Sequence, residues 1–446
     1  MPSYALLRPA VQQSDLTVIA SYLLPLMLRN MASDGFVFTD PADPQRFSAP
    51  GCIVASPSYD RDLSTVTQNY VWNWVRDAAV TAREIAYAGL PVRPGSGSGP
   101  LGDYVSFASL CQGNADSLDV AVYTIEGRVR ENWARQNDGP ALQVLALLAG
   151  FPQLDAAGQD TARAVIAADL EFVLARYRDP GFNLWEEVHG QSFFTRSVQL
   201  RCLTEIAGNT AGLAVPSGVA EAVAWLTNEL ASHWNGSYYV SVRDAGHPRD
   251  GYDPNIDIVS ASVYGWVDCA DPKLLATAGL LRRQWAGGSS GLAYPVNEDD
   301  AAHGLGPLLG RYPGDVYDGD RDDTGTGHPW ALCTANYAEL YYTLAGRIAA
   351  TGQVPWSDLA ADFFGQAGVG PSTAAGDASG LLVAAADRML QAIVYHSDHL
   401  ELSEQFDKVT GYEKSVRDLT WSYAAFLSAV RARAMVGAAS APVTPA

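Results

Sequence analysis

The chain is short of charge, of basic residues and of the compact motifs that announce most enzyme chemistries. Charged side chains make up only 17% of its 446 residues, so much of the polar surface must come from Ser, Thr, Asn, Gln and backbone. Basic residues are the scarcer sign, 29 against 49 acidic, for a formal net charge of -20. Such a field repels phosphate backbones and anionic membrane surfaces, which excludes nucleic acid and membrane as partners and favours a neutral or cationic small molecule. Five cysteines, Cys52, Cys111, Cys202, Cys269 and Cys333, lie far apart with no CxxC spacing. This is neither a disulfide scaffold nor a zinc site. Cys202 and Cys333 sit in apolar helical contexts and read as small buried hydrophobes, while one or two disulfides stay open. No segment approaches about 20 uninterrupted apolar residues, so no membrane span is expected. MPSYALLRPAVQQSD has no basic segment followed by an apolar run, so no leader is read there and location is left open. Asn235-Gly236-Ser237 matches a glycosylation acceptor that matters only on export.

Catalytic motifs are missing too. There is no GxSxG elbow, no helical HxxxH pair among the seven histidines, no Gly-rich phosphate loop and no βαβ rhythm. The loop DGDRDDTGTG at 318–327 offers aspartates to calcium but lacks the EF-hand order and its final glutamate. Neither a metal nor a cofactor is expected.

What the chain does have is 48% hydrophobic content, ample for a large core. Apolar residues recur three or four apart over roughly 12–30, 71–89, 117–127, 139–150, 158–177, 191–207, 217–232, 259–267, 271–285, 330–349, 355–366, 376–396 and 415–437, which predicts helices. In 158–177, Ala164, Ile166, Ala167, Leu170, Val173 and Leu174 can share a face, and RDPG ends the run. Only SYYVSVR at 237–243 alternates like a strand. The class is all-α. Long loops rich in Gly, Pro, Asp and Asn cover 33–60, 90–104, 244–258 and 287–329, and long ordered loops in a helical protein are usually functional.

Aromatic residues are plentiful, with 11 Trp, 21 Tyr and 13 Phe, and several stand next to charge: Trp74 near Arg76 and Asp77, Trp185 beside Glu186, Asp418 before Trp421. A pyranose has an apolar C–H face and a rim of hydroxyls, which rings and carboxylates or guanidinium groups can hold. Each pairing alone is equally a core ring beside a helix cap. Three clusters stand out. In QNYVWNWVRDAAV, Asp77 at a helix start can cap backbone N–H groups, but Arg76 there faces the unfavourable end of the helix dipole. In NLWEEV, adjacent Glu186 and Glu187 cannot share a face, so at most one holds a reacting position. HLELSEQFDKVTGY carries Glu401, Glu404 and Asp407, and a helix would put the last two on one face; the bland alternative is an acidic turn. Separated carboxylates beside aromatic rings suit glycoside hydrolysis.

Read together, five ordered blocks between Cys52 and Arg433 resemble the glucoamylase family: IVASPSYD…YVWNWVRD (53–77), RQNDGPALQ (135–143), FNLWEEVHGQSFFTRSVQLRCL (182–203), GRYPGDVYDGD…HPWALCTANYAELYY (310–342) and LSEQFDKVTGYEKSVRDLTWSYAAFL (402–427). The resemblance implies an (α/α)6 barrel with a dead-end pocket. It implies cofactor-free, inverting release of glucose from the non-reducing ends of starch and malto-oligosaccharides. Glu186 matches the general acid and Glu404 the general base. Tyr70, Trp74, Arg76 and Asp77 match the grip on the terminal glucose, Arg311 and Trp330 match residues binding the terminal and adjacent sugars, and Glu187 matches a substrate contact. Trp185 is expected to pack behind the site. Trp133 is assigned as the ring covering the sugar near the acid, although ENWARQNDGP is one residue shorter here than the usual fungal pattern. DRDDTGTG before HPW is an insertion at the expected pocket rim. Residues 1–435 are read as one catalytic domain, 436–446 as a disordered tail, and the protein as a monomer whose partners are α-glucan and water. Without a starch-binding domain or an N-terminal β-domain in the chain, weak binding to raw granules is expected. Inversion requires carboxyls roughly 6.5–9.5 Å apart. The alternatives are a related exo-α-glucosidase acting on dextran, isomaltose or trehalose, and a noncatalytic carbohydrate-binding protein, which would need the rings but not both carboxylates.

Overall fold

Helix follows helix along the chain. The computed structural model describes residues 13–58, 69–90, 99–246, 248–285, 293–319 and 327–439. Their helices are α1 (Gln13–Leu28), α2 (Val75–Ala88), α3 (Gly99–Asn114), α4 (Gly139–Gly150), α5 (Ala156–Arg176), α6 (Phe193–Ala207), α7 (Val219–Ser232), α8 (Asp257–Tyr264), α9 (Pro272–Trp285), α10 (Pro295–Ala302), α11 (Ala331–Thr351), α12 (Ala361–Gln366), α13 (Ala375–His396) and α14 (Thr420–Ala439). Short antiparallel strands decorate the loops: β1 (Thr39–Asp40) with β2 (Asp43–Phe47), β3 (Asn73–Trp74) with β4 (Val122–Tyr123), β5 (Gly181–Phe182) with β6 (His189–Ser192) and then β7 (Val242–Arg243), and β8 (Gln405–Phe406) with β9 (Glu413–Lys414).

Six helices pack in a closed ring: α2 on α4, α4 on α6, α6 on α8, α8 on α11, α11 on α14, and α14 back on α2. A second layer lies outside them, with α1 against α14, α3 against α2, α5 against α4, α7 against α6, α9 against α8 and α13 against α11. This is the (α/α)6 toroid. Inner helices must be apolar nearly all round because both faces are covered. α11 shows it, burying fifteen of its residues, Asn336 and Glu339 among them. Local signals set the helix ends. Asp155 accepts from the Gly158 backbone N–H at 2.7 Å to start α5, Ser192 accepts from that of Thr195 to start α6, and Gly89 stops α2 in the left-handed conformation (φ 59°), a geometry glycine adopts without the usual penalty.

Several expectations need correction. Residues 117–127 are turns and strand β4, not helix; Val120, Val122 and Ile125 are β-branched, and β4 pairs with β3, where such residues fit a pleated surface. Helix α3 went unread because its glycines and proline mimic a loop, yet Leu101, Tyr104, Val105, Ala108 and Cys111 form a buried stripe. In α5 the buried face runs Ala162, Val165, Ile166, Asp169, Leu170 and Val173, leaving Ala164 and Ala167 exposed. The last helix begins at Thr420, not 415, because Ser415 (φ 67°) and Asp418 (φ 53°) take left-handed backbone conformations. Glu404 and Asp407 flank strand β8 rather than sharing a helical face. Within 237–243 only Val242–Arg243 is strand, and it pairs with β6. None of the five cysteines is paired, and Cys202 and Cys333 are fully buried. Most of 318–327 and the end of the 436–446 tail lie outside the described residues.

Candidate active site

A cavity of about 490 Å3 lies at the N-terminal ends of five of the six inner helices. Its walls come from the segments that lead into α2 (Tyr70, Trp74, Arg76, Asp77), α4 (Arg130, Trp133), α6 (Leu184 to Glu187), α11 (Arg311, Tyr317, Trp330) and α14 (Glu404, Leu419). Tyr70, Trp74, Arg76, Asp77, Trp133, Glu186, Glu187, Arg311, Trp330 and Glu404 are therefore brought to one place, whereas Glu401 and Asp407 of the third acidic cluster are not in its lining. Helix N-termini carry partial positive charge, so this end of the toroid suits a collection of carboxylates. A floor closes it: Trp421, at the cavity, donates through Nε1 to the Tyr264 hydroxyl at 2.9 Å, and Tyr264 donates to Asn336 at 3.2 Å, tying α14, α8 and α11 together. Deeper still, Arg431 of α14 meets Glu84 of α2 at 2.8 Å.

Glu186 sits on the turn between β5 and β6 with φ 63°, a left-handed conformation that costs a non-glycine residue about 1 kcal/mol and persists where surroundings enforce it. Its enforcers are N–H donors. Trp74 Nε1 donates to Oε1 at 2.9 Å, Arg76 Nη2 to the same oxygen at 3.3 Å, and Trp133 Nε1 to Oε2 at 2.6 Å. None of these groups can accept a proton. Arg76 is itself buried and fixed by Gln136 (2.9 Å) and by ion pairs to Asp77 at 3.5 Å and Asp138 at 3.6 Å. Burial opposes its charge, but the three carboxylates more than offset that. Asp77 is the third helical residue of α2, and the N-cap position itself is Trp74, which supplies no side-chain cap. Asp77 also lines the cavity. Burial pushes its carboxyl up to about 6 against the pull of Arg76, and its Oδ2 accepts no hydrogen bond.

Glu404 precedes β8 and has different neighbours. The hydroxyls of Tyr70 (3.2 Å), Tyr317 (3.1 Å) and Ser415 donate to its two oxygens. Burial pushes this carboxyl up to about 7, while Ser415, Tyr317, Arg311 and Tyr70 pull the other way. The two corners are bridged: the Tyr70 ring lies 5.5 Å from that of Trp74, so Glu404, Tyr70, Trp74 and Glu186 form one continuous wall.

A third corner is built on Arg311. It forks onto Asp315 at 2.8 and 2.6 Å and donates to Glu187 at 2.9 Å, whose other oxygen accepts from Tyr312 at 2.6 Å. Trp185, Tyr312, Tyr317 and Trp330 all pack around its guanidinium at 5.1–5.3 Å. Trp185 also donates to Asn255 at 2.9 Å, so it lines the cavity while bracing it from behind. Adjacent Glu186 and Glu187 thus point to different partners, as their spacing required.

Residues 111–431 match the family model described as glycosyl hydrolases family 15. The chain belongs to glycosyl hydrolases family 15. Among curated relatives, it is 29% identical over 433 residues to Glucoamylase 1 of Rhizopus oryzae, covering 88% of this chain and 68% of that one. It is 28% identical to a probable glucoamylase of Schizosaccharomyces pombe, covering 86% and 85%. Among solved structures, it resembles the glucoamylase of Hormoconis resinae (TM-score 0.75, 25% identity, 95% and 74% covered). It shares the fold of the Saccharomycopsis fibuligera glucoamylase (TM-score 0.77, 24% identity, 97% of each chain).

Several residues of this family 15 cavity escaped the sequence reading. Tyr317 and Ser415 stand inside quoted blocks, but only the fold shows that both reach Glu404. Asn183 organises the Glu186 turn through its side chain, accepting from the backbone N–H groups of Glu187 (3.1 Å) and Val188 (3.0 Å). Trp72 carried no signal because no charged residue adjoins it, and Arg130, next to Glu131, stood outside the five matched blocks. Among the described residues no group of three or more His, Cys, Asp and Glu is arranged to hold a metal ion.

Proposed function

We propose that this family 15 enzyme is an exo-acting glucoamylase. It removes glucose from the non-reducing ends of starch, maltodextrins and malto-oligosaccharides, cleaving α-1,4 links readily and α-1,6 links more slowly, with inversion at the anomeric carbon. The observation that carries this reading is the meeting of Glu186 and Glu404, 218 residues apart in sequence, in a single floored cavity beside Arg76, Asp77 and Arg311. A floored cavity admits a chain end and not a chain middle. Asp77 and Trp330 line that cavity, and their buried, hydrogen-bond-free Oδ2 and Nε1 atoms carry a desolvation penalty that a polar partner would relieve.

The chemistry follows from the two corners. Glu186 is the general acid. Its neighbours are donors only, so a proton on its carboxyl finds no protein acceptor among them and is directed to the glycosidic oxygen. As the C1–O bond breaks, positive charge spreads over C1 and the ring oxygen, and the leaving sugar takes the Glu186 proton as its new hydroxyl. Glu404 is the general base. In its ionised form, steadied by three hydroxyls, it takes a proton from a water whose oxygen bonds to C1 from the opposite face, and β-glucose results. Arg76 and Asp77 grip the terminal glucose, with Tyr70, Trp74 and Trp133 against its faces. Arg311, Glu187 and Trp330 contact the terminal and adjacent sugars.

Incubation with maltose, maltoheptaose, isomaltose, trehalose and dextran tests the reading. Glucose is expected as the small product from the first minutes of maltoheptaose digestion, with the chain shortened one unit at a time and isomaltose cut more slowly than maltose. Early mid-sized fragments without free glucose would contradict an exo mode, and preferred cleavage of trehalose or dextran would move the substrate assignment.

A further inference from the structure

Among the described residues three arginines line the cavity, and two of them are neutralised. Arg76 pairs with Asp77, Asp138 and Glu186, and Arg311 with Glu187 and Asp315. The third, Arg130, differs. Its guanidinium makes no hydrogen bond and no ion pair among the described residues, and its Nη1 is buried without a partner. What holds it is aromatic: its Cζ lies 3.7 Å from the Trp133 ring centroid, 4.3 Å from that of Trp72 and 5.9 Å from that of Trp74. Stacking on indole faces fixes the plane of a guanidinium while leaving its five N–H groups free to donate. A fixed cation with unused donors in a cavity wall is a recognition element without its ligand.

Its position says which part of the ligand. Trp133, the ring under Arg130, donates to Glu186 Oε2 at 2.6 Å, so Arg130 flanks the carboxyl that protonates the scissile oxygen. That oxygen joins the glucose being released to the sugar that departs. Arg76, Asp77 and Arg311 are buried, whereas Arg130, Trp72 and Trp133 are only half-buried, which puts this corner toward the open side. Carboxylates outnumber cations in the lining, so the local field disfavours an anionic group, and neutral hydroxyl oxygens are the acceptors that fit.

We infer that Arg130 is a specificity-determining residue for the leaving sugar: its stacked guanidinium donates to hydroxyl oxygens of the sugar unit on the far side of the bond being cut. The inference rests on the glucoamylase reading above and narrows it to one contact. The competing role is that Arg130 merely props Trp133 against Glu186.

Maltose and methyl α-glucoside separate the two, because both leaving oxygens need the acid but only maltose leaves a sugar. In Arg130→Ala the ratio of kcat/KM for maltose to kcat/KM for methyl α-glucoside is expected to fall roughly tenfold, the size of one or two lost charge-assisted hydrogen bonds, mainly through a raised KM for maltose. Arg130→Lys, which keeps charge but loses the planar fork, is expected to fall between wild type and Ala. A parallel loss on both substrates would overturn the inference and assign Arg130 to propping Trp133. An unchanged ratio with unchanged rates would overturn it as well. Failure of the wild-type enzyme to cleave maltose would instead sink the glucoamylase reading beneath it, so the two failures are distinguishable.

Discussion

The Glu186 and Glu404 corners share one cavity wall but use opposite chemistry to hold a carboxyl group. Around Glu186 the donors are indole and guanidinium N–H groups, rigid and unable to accept. Around Glu404 they are hydroxyls of Tyr70, Tyr317 and Ser415, which can both donate and accept. One corner clamps a side chain so that its proton has a single outlet. The other steadies an anion in a buried place and leaves a route for a proton to arrive. The lesson is that two carboxyls in one cavity acquire different duties less from their own identity than from whether their neighbours can take a proton.

The largest effect should come from removing each carboxyl's proton chemistry in turn. Glu186→Gln is expected to lower kcat on maltose by roughly a hundred- to ten-thousandfold, the range for loss of a general acid. Its activity on α-glucosyl fluoride, whose leaving group needs little protonation, should be largely kept. Glu404→Gln should lose both substrates together. The reversed pattern, with fluoride hydrolysis surviving in the Glu404 variant, would exchange the two roles.

A smaller effect sharpens the Glu404 corner alone. Burial already pushes this carboxyl up to about 7, and Ser415 is the first of the groups opposing that shift. Ser415→Ala removes a donor that favours the anion, so the carboxyl rises further and the base is protonated over a wider acidic range. The acidic limb of the kcat/KM profile should move to higher pH, by roughly 0.5–1 unit for one hydrogen bond, with the basic limb unmoved. A shift of the other limb, or none, would break the assignment of that hydroxyl to Glu404.

The smallest effect is on the whole fold. Glu404, Glu339 and Asp257 are each pushed up to about 7 by burial, and Asp77 and Asp253 to about 6. Across this window these five groups hold more protons in the folded chain than in the unfolded one, so the stability they contribute is fully present at low pH and is lost as pH rises from about 4 through 7. Tm should be a few degrees higher at pH 5 than at pH 8. A higher Tm at pH 8 would mean that these carboxyls are ionised in the fold without penalty.

How legible all this was in the sequence depends on how far apart the parts lay. Trp74, Arg76 and Asp77 are contiguous, and Glu186 with Glu187 adjoins Trp185, so local composition exposed them. Apolar spacing likewise exposed most inner helices. Glu404 was visible only as one acid among three in a stretch that reads as well for a helix as for the strand it enters. Tyr317 and Ser415 act only through contacts made across the cavity. Arg130 is recognised by what it lacks among the described residues, an acidic hydrogen-bond partner, and that lack shows only in the folded chain. Helix α3 and the delayed start of α14 were missed for a backbone reason: glycine and proline imitate a loop at one, and two left-handed residues interrupt a helical pattern at the other.

The most direct test is the configuration of the first glucose released. Proton NMR of maltose hydrolysis, recorded before mutarotation equilibrates the product, should show the β-anomer growing first, since a Glu404-activated water enters opposite the departing oxygen. Initial appearance of α-glucose would require a covalent intermediate or same-face attack, and would contradict the division of labour between Glu186 and Glu404.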